Sequence, residues 1–157
     1  SLFVAGCSGH CKECFNEVTW EFGYGVLFAE ATMEEIFDSV DHSWVNGITI
    51  LGGEPFEPEN QRVLVPFLVM FHEKFPDKDV WCYTGFTIEQ ILGKSEPKSR
   101  AATDVSDEML SLIDVLVDGP YVASLHDISL KFRGSSNQRV IDIKESIKQK
   151  KIVLYLE

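Results

Sequence analysis

The chain has 157 residues, 45% of them hydrophobic and 11% aromatic, and a formal net charge of −11. A chain of this size and apolar content buries roughly 70% of its unfolded surface, so one domain over residues 1–157 is expected and disordered and fibrous classes are excluded. The negative balance argues against nucleic acid, which needs a phosphate-neutralising surface, and no apolar run approaches the ~20 residues that cross a bilayer.

Taken in chain order, apolar and often β-branched runs alternate with helical patterns. Strands are expected at LFVAG (2–6), ITILG (48–52), DVWCYTG (79–85) and DVLVDG (114–119). The opening SLFVAG lacks the basic flank of a signal peptide, so a cytoplasmic location is expected. The first helix is expected to be capped by Thr32, with Glu35 three residues on completing a capping box. A second helix over 57–75 puts Leu64, Leu68 and Phe71 on one face, and Pro66 inside it predicts a kink or a late start. Short helical turns follow near 87–92 and 107–113, separated by a surface loop over 93–103. The end of the chain reads as a strand at 139–143, a basic helical turn and a last strand at 152–156. Residues 131–157 carry +4 while residues 1–130 carry −15, and the lysines 144, 148, 150 and 151 are read as solvating the helical turn.

Hydrophobic strands separated by helices predict an α/β fold, a parallel sheet with covering helices on both faces. Cys7, the segment Gly52-Gly53-Glu54-Pro55, the segment Tyr83-Thr84-Gly85 and the segment Asp118-Gly119-Pro120-Tyr121 then follow the four strands in turn. All four stand at carboxyl ends of strands, where parallel α/β folds build their sites.

Three of the four cysteines fall in GCSGHCKECFN, as Cys7-x3-Cys11-x2-Cys14. Crowded thiols of this kind indicate metal or thiol chemistry rather than a disulfide framework. Structural zinc normally takes four protein ligands, and only three thiolates are local; His10 beside Cys11 would strain to be the fourth. Cys82 lies inside a strand and is read as a small buried hydrophobe. A redox pair between Cys11 and Cys14 lacks the W-C-x-x-C context. Three thiolates on a [4Fe-4S] cluster would leave one iron open for a substrate.

The cysteine loop and GGEP at 52–55 resemble the radical S-adenosylmethionine superfamily. More narrowly, LFVAGCSGHCKECFN with the TW after it, ITILGGEP, VWCYTGF, DVLVDGPY and LKFRGSSNQRVID resemble the activating proteins of anaerobic ribonucleoside-triphosphate reductase, from residue 2 to about 143. The resemblance implies a partial (β/α) barrel in which Cys7, Cys11 and Cys14 hold a [4Fe-4S] cluster. Its open iron would bind S-adenosyl-L-methionine, whose reductive cleavage yields a 5'-deoxyadenosyl radical that generates a glycyl radical on the reductase. It suggests a reduced flavodoxin-type electron donor.

Roles follow by position. Gly52 and Gly53 would let backbone approach the methionine end of the cofactor, and Glu54 would fix its ammonium, with a glycine turn that merely ends the strand the alternative. Thr84 and Asp118 would bond its ribose or amino group, with Asp118 as a cap of the next turn the alternative. Arg133, Ser135, Asn137 and Arg139 would hold the cofactor carboxylate or dock the partner's glycine loop, or form a solvated turn. Many superfamily members place an adenine-contacting aromatic just before the third cysteine; Glu13 stands there, and Phe15 is the candidate replacement. Trp20, Trp44 and Trp81 are read as core or partner-facing aromatics, and His42, His72 and His126 as ordinary surface or core residues. The alternatives are an activase of another glycyl-radical enzyme, a small-molecule radical S-adenosylmethionine enzyme, or, from a different class, a zinc-binding or electron-transfer module.

Overall fold

A computed structural model describes residues 1–10, 14 and 16–156. Among these residues six strands form one sheet in sequential order: β1 (Leu2–Val4), β2 (Gly47–Gly52), β3 (Asp79–Tyr83), β4 (Val115–Asp118), β5 (Arg139–Asp142) and β6 (Leu154–Leu156). The helices are α1 (Glu30–Val40), α2 (Pro58–Lys74), α3 (Ile88–Ile91), α4 (Ser106–Ser111) and α5 (Ile143–Gln149).

The first four strands pair in parallel, as expected. The last two do not: β5 is antiparallel to β4, with Asp118 opposite Arg139, and β6 is antiparallel to β5. No α-helix crosses over between residues 119 and 138, and a chain that returns from the same end of a strand can only pair antiparallel. The sheet is therefore mixed rather than all parallel.

Coverage on both faces is a second expectation that the structure corrects. Phe37 of α1, Phe67 and Phe71 of α2, Ile91 of α3, Met109 of α4 and Ile143 of α5 all join one cluster with Ile50, Val80, Cys82, Leu116 and Ile141 from the strands. The opposite face holds a separate, smaller group drawn from strands alone: Val115, Val117 and Val140, with Trp81, Tyr83 and Leu156 packed on them. Crossovers of one hand between strands laid down in sequential order put every helix on the same side; helices reach both faces only where strand order reverses.

Helix boundaries follow local chemistry. α1 starts at Glu30 after Ala29, so Thr32 sits inside the helix with its hydroxyl donated to the Leu27 carbonyl at 3.2 Å, and the expected capping box with Glu35 does not form. A capping box occurs instead at α3, where Gln90 N–H donates to Thr87 Oγ1 and Thr87 N–H donates to Gln90 Oε1. α2 begins at Pro58, a favoured first position, and continues through Pro66. Pro66 is solvent-exposed, so water can take the carbonyl that loses its partner.

Candidate functional site

The exit of β1 and the exit of β2 are locked together through backbone. Gly53 N–H donates to the Val4 carbonyl and Glu54 N–H to the Gly6 carbonyl, each at 2.7 Å. Gly6 N–H donates in turn to Thr19 at 2.7 Å and Cys7 N–H to Trp20 at 3.1 Å, which brings in the 3-10 turn Glu17–Trp20. A Cβ at Gly53 would lie 2.5 Å from the Gly6 carbonyl oxygen and 2.8 Å from that of Thr19, while Gly52 adopts φ +112°. The two glycines of GGEP are thus what allows the cysteine loop to rest directly on the end of β2.

Cys7 and Cys14 are half-buried free thiols, and each sulfur accepts a backbone N–H at 3.4 Å, from Gly9 and Asn16 respectively. Burial pushes the Cys7 thiol up, the Gly9 and His10 amides pull it down, and Glu54 and Glu57 add to the rise. A bound cation reverses that balance and takes a thiol as thiolate. Soft sulfur donors with amides aimed at them fit an iron–sulfur group. Cys11, with Glu13 and Phe15, lies outside the described residues, and among those described no cluster of three metal-ligating side chains forms. Cys82 is fully buried in β3 within the helix-side core, and burial pushes its thiol well up.

Glu54 is 4% exposed, and its carboxylate is engaged by three donors of its own chain. Phe56 N–H (2.8 Å) and Thr84 Oγ1 (2.7 Å) donate to Oε2, and Gly85 N–H (2.7 Å) donates to Oε1. Thr84 also accepts Phe86 N–H at 3.1 Å. Burial raises Glu54 from the ordinary carboxylate range to about 7 despite these bonds, with the Glu57 charge adding to the rise. The structure thus brings Glu54 and Thr84 together as a pair that ties β2 to β3.

Asp118 is 1% exposed. Its carboxylate accepts Ile88 N–H at the start of α3 (2.8 Å) and two donors from Arg139, at 3.0 and 2.5 Å. Arg139 spans to Glu89 as well, so these groups form one ion-paired network. The helix that Asp118 caps is α3, from the neighbouring strand, rather than the turn following β4. The remaining polar residues knit a turn back onto the end of β4. Asn137 donates to Pro120, Ser135 accepts from Val122 N–H, and Arg133 Nη1 donates to the Gln138 carbonyl at 2.6 Å. Gln138 links Gly134, Ser135 and Gly119 at its centre.

Three features here escape a reading of motifs. Glu57, 2% exposed on its side chain, accepts Ser8 N–H from the cysteine loop at 2.9 Å and both Nε and Nη2 of Arg100. Burial raises Glu57, but the Arg100 and Ser8 bonds outweigh it and hold the carboxyl below the ordinary range. Asn60 donates to the carbonyls of Ala5 and Glu54 and clamps the same junction from α2. His10 stacks on Trp20, ring centroids 4.3 Å apart. The polar run GGEPFEPEN carried a signal for Glu57 and Asn60, since acidic and amide groups at the start of a helix that follows a strand face that strand's exit; Arg100, 43 residues on, had none.

On the helix-free face of the sheet a cavity of about 320 Å³ is lined by Gly47, Thr49, Asp79, Trp81, Tyr83 and Phe132. A larger one, about 460 Å³, lies among α3, α4 and α5 and shares no residue with the cysteine loop. Among the described residues no helix is long and apolar enough to cross a membrane.

A family model described as a 4Fe-4S single cluster domain matches residues 1–141. The anaerobic ribonucleoside-triphosphate reductase-activating protein of Haemophilus influenzae is 36% identical over 140 residues, 88% of this chain and 83% of its own length. Its namesakes from Enterobacteria phage T4 and Escherichia coli K12 are each 34% identical, over 88% and 89% of this chain and 80% and 85% of their own lengths. No solved structure matches. A cysteine loop seated on GGEP, a 4Fe-4S domain over nine-tenths of the chain and relatives of one name together place this chain in the family of anaerobic ribonucleoside-triphosphate reductase-activating proteins.

Proposed function

We propose that residues 1–157 act as one radical S-adenosylmethionine domain, a partial (β/α) barrel, that generates a glycyl radical on anaerobic ribonucleoside-triphosphate reductase. The chain works in the cytoplasm and draws its electron from a reduced flavodoxin-type protein. The observation that carries this reading is the backbone clamp between the Cys7 loop and GGEP, which unites a soft-donor loop with a glycine platform at one sheet end. Cys7, Cys11 and Cys14 hold the [4Fe-4S] cluster, which when bound supplies the electron that breaks the sulfonium carbon–sulfur bond of S-adenosyl-L-methionine.

The chain's own groups position the reactants. Gly9 and Asn16 amides stabilise sulfur charge at Cys7 and Cys14. The Gly52–Gly53 backbone receives the methionine end, and Glu54, sharing a proton site with Thr84 at Oε2, tunes the charge beneath its ammonium. Asp118 acts by fixing Arg139 and the start of α3, while Arg133 keeps donors beyond its bond to Gln138 for the cofactor carboxylate. The helix-free sheet face leaves the site open on one side for the glycine-bearing loop of a folded protein substrate. Names of the relatives support the reductase as that substrate.

Anaerobic reconstitution followed by electron paramagnetic resonance tests the reading. About four irons and four sulfides per chain, and a reduced-cluster signal that shifts when S-adenosylmethionine is added, are expected. One zinc per chain, or a cluster blind to the cofactor, would refute it.

A further inference from the structure

From residue 13 to residue 61 the chain holds eleven Asp and Glu and no Lys or Arg. Within this stretch residues 21–27, EFGYGVL, are all exposed in succession, and Val26 and Leu27 are each 86% exposed. Phe22 and Tyr24 add about half-exposed rings. Contiguous exposed apolar surface of this kind marks an interaction site. The run is anchored at both ends. On one side Thr19 and Trp20 bond the cysteine loop and the Phe22 ring lies on the backbone of Gly6; on the other Phe28 packs edge-on against Phe67 of α2.

The run leads into a second feature. Between α1 and α2 lies a groove of about 420 Å³ lined by Met33, Phe37 and Met70 and by Glu30, Glu34 and Glu73; among the described residues Lys74 is the one cation lining it. Lys74 lies over the Phe37 and Phe75 rings. Among the described residues Glu17, Glu21, Glu30 and Glu34 form no ion pair. Methionine floors adapt to an incoming side chain, and acidic walls select a cationic one.

We propose that the 22–27 run and the α1–α2 groove form one docking surface for the reductase, engaging an apolar face of that protein rimmed by Lys and Arg. The proposal rests on the functional reading above and adds where the partner sits and what it must present. The reductase fits better than the electron donor. Presenting one glycine in register demands an apolar-anchored interface, whereas electron-transfer encounters are small and transient. The surface is also continuous with the cysteine loop.

Two variants test it with the reconstituted chain and its cognate reductase: Val26→Ser with Leu27→Ser, and Glu30→Lys with Glu34→Lys. Binding is read by anaerobic calorimetry at low and high salt, and S-adenosylmethionine cleavage by chemical reductant is read without reductase. Each variant is expected to raise the Kd at least tenfold while cleavage stays at the wild-type rate. Wild-type binding should weaken with salt and the charge-reversed variant should lose that dependence. Wild-type Kd in both variants, or weakened binding of the electron donor alone, would overturn the proposal. A wild-type chain that cleaves no cofactor would count against the functional reading, and the Kd comparison would still decide the docking surface.

Discussion

Glu54 offers a prediction whose size follows from the structure. Its carboxylate is buried at the β2–β3 junction and titrates near 7, against 4.5 for the ordinary carboxylate. In the folded chain the neutral form is accommodated because Oε2 can donate its proton to Thr84 Oγ1 across the same 2.7 Å contact. Raising an acid's pKa on folding means that the native state holds a proton the unfolded state has released. The contribution of Glu54 to stability is therefore largest below pH 4.5, falls as pH rises toward 7 and is lost above it. At about 1.4 kcal/mol per pH unit the full effect is about 3 kcal/mol, most of it falling between pH 5 and pH 8.5. The other carboxylates titrate too, so the comparison must be with Glu54→Gln. The amide is neutral at every pH and loses one acceptor toward Gly85 or toward Phe56 and Thr84, at a constant cost of about 1–3 kcal/mol. Urea denaturation of the iron-free chain at several pH values reads the difference between the two. It should move by about 2–3 kcal/mol in favour of Glu54→Gln from pH 5 to pH 8.5. A difference that stays flat would refute the claim that Glu54 is a desolvated acid in the native chain.

The remaining predictions concern the same junction. Gly53→Ala forces a methyl against the Gly6 and Thr19 backbones, which cannot yield as a side chain would, so a loss of about 1–3 kcal/mol and a parallel fall in reconstituted iron are expected. Glu57→Gln removes the charge that Arg100 and Ser8 share. Because Arg100 is 45% exposed the cost should be only about 1–2 kcal/mol, read as a lower Tm, with iron held less tightly as the cysteine loop loosens. Cys82→Ala leaves a small void in the core, costs about 1 kcal/mol and leaves iron content unchanged; loss of the cluster in that variant would overturn the ligand assignment.

Much of this arrangement was legible in the residues. Continuous apolar, often β-branched runs place β2, β3 and β4 within a residue or two of where they lie, and with β1 their exits gather Cys7, GGEP, Thr84 and Asp118 at one sheet end. Less legible was everything decided by strand order. All helices lie on one face because the strands follow in sequence, and β5 turns antiparallel because no helix intervenes after β4; local patterning carries neither directly. The capping box at Thr32 failed because a helix start depends on where the preceding chain is anchored, here by Phe28 on Phe67, which lets α1 begin at Glu30. The TIEQ signature at Thr87 was present in the sequence and forms the box that Thr32 does not. Glu54 and Asp118 were legible as acidic groups at strand exits but not as side chains already engaged by their own chain, since those bonds come from residues 30 and 21 positions away.

The central claim is that this chain creates a radical on its partner. Mixing the reconstituted chain anaerobically with reductase, S-adenosylmethionine and reductant, and recording the electron paramagnetic resonance spectrum of the reductase, tests it most directly. A carbon-centred glycyl signal is expected that requires every component and disappears with Cys7→Ala or Cys14→Ala. A chain that carries its cluster and cleaves the cofactor yet leaves the reductase without a radical would contradict the account.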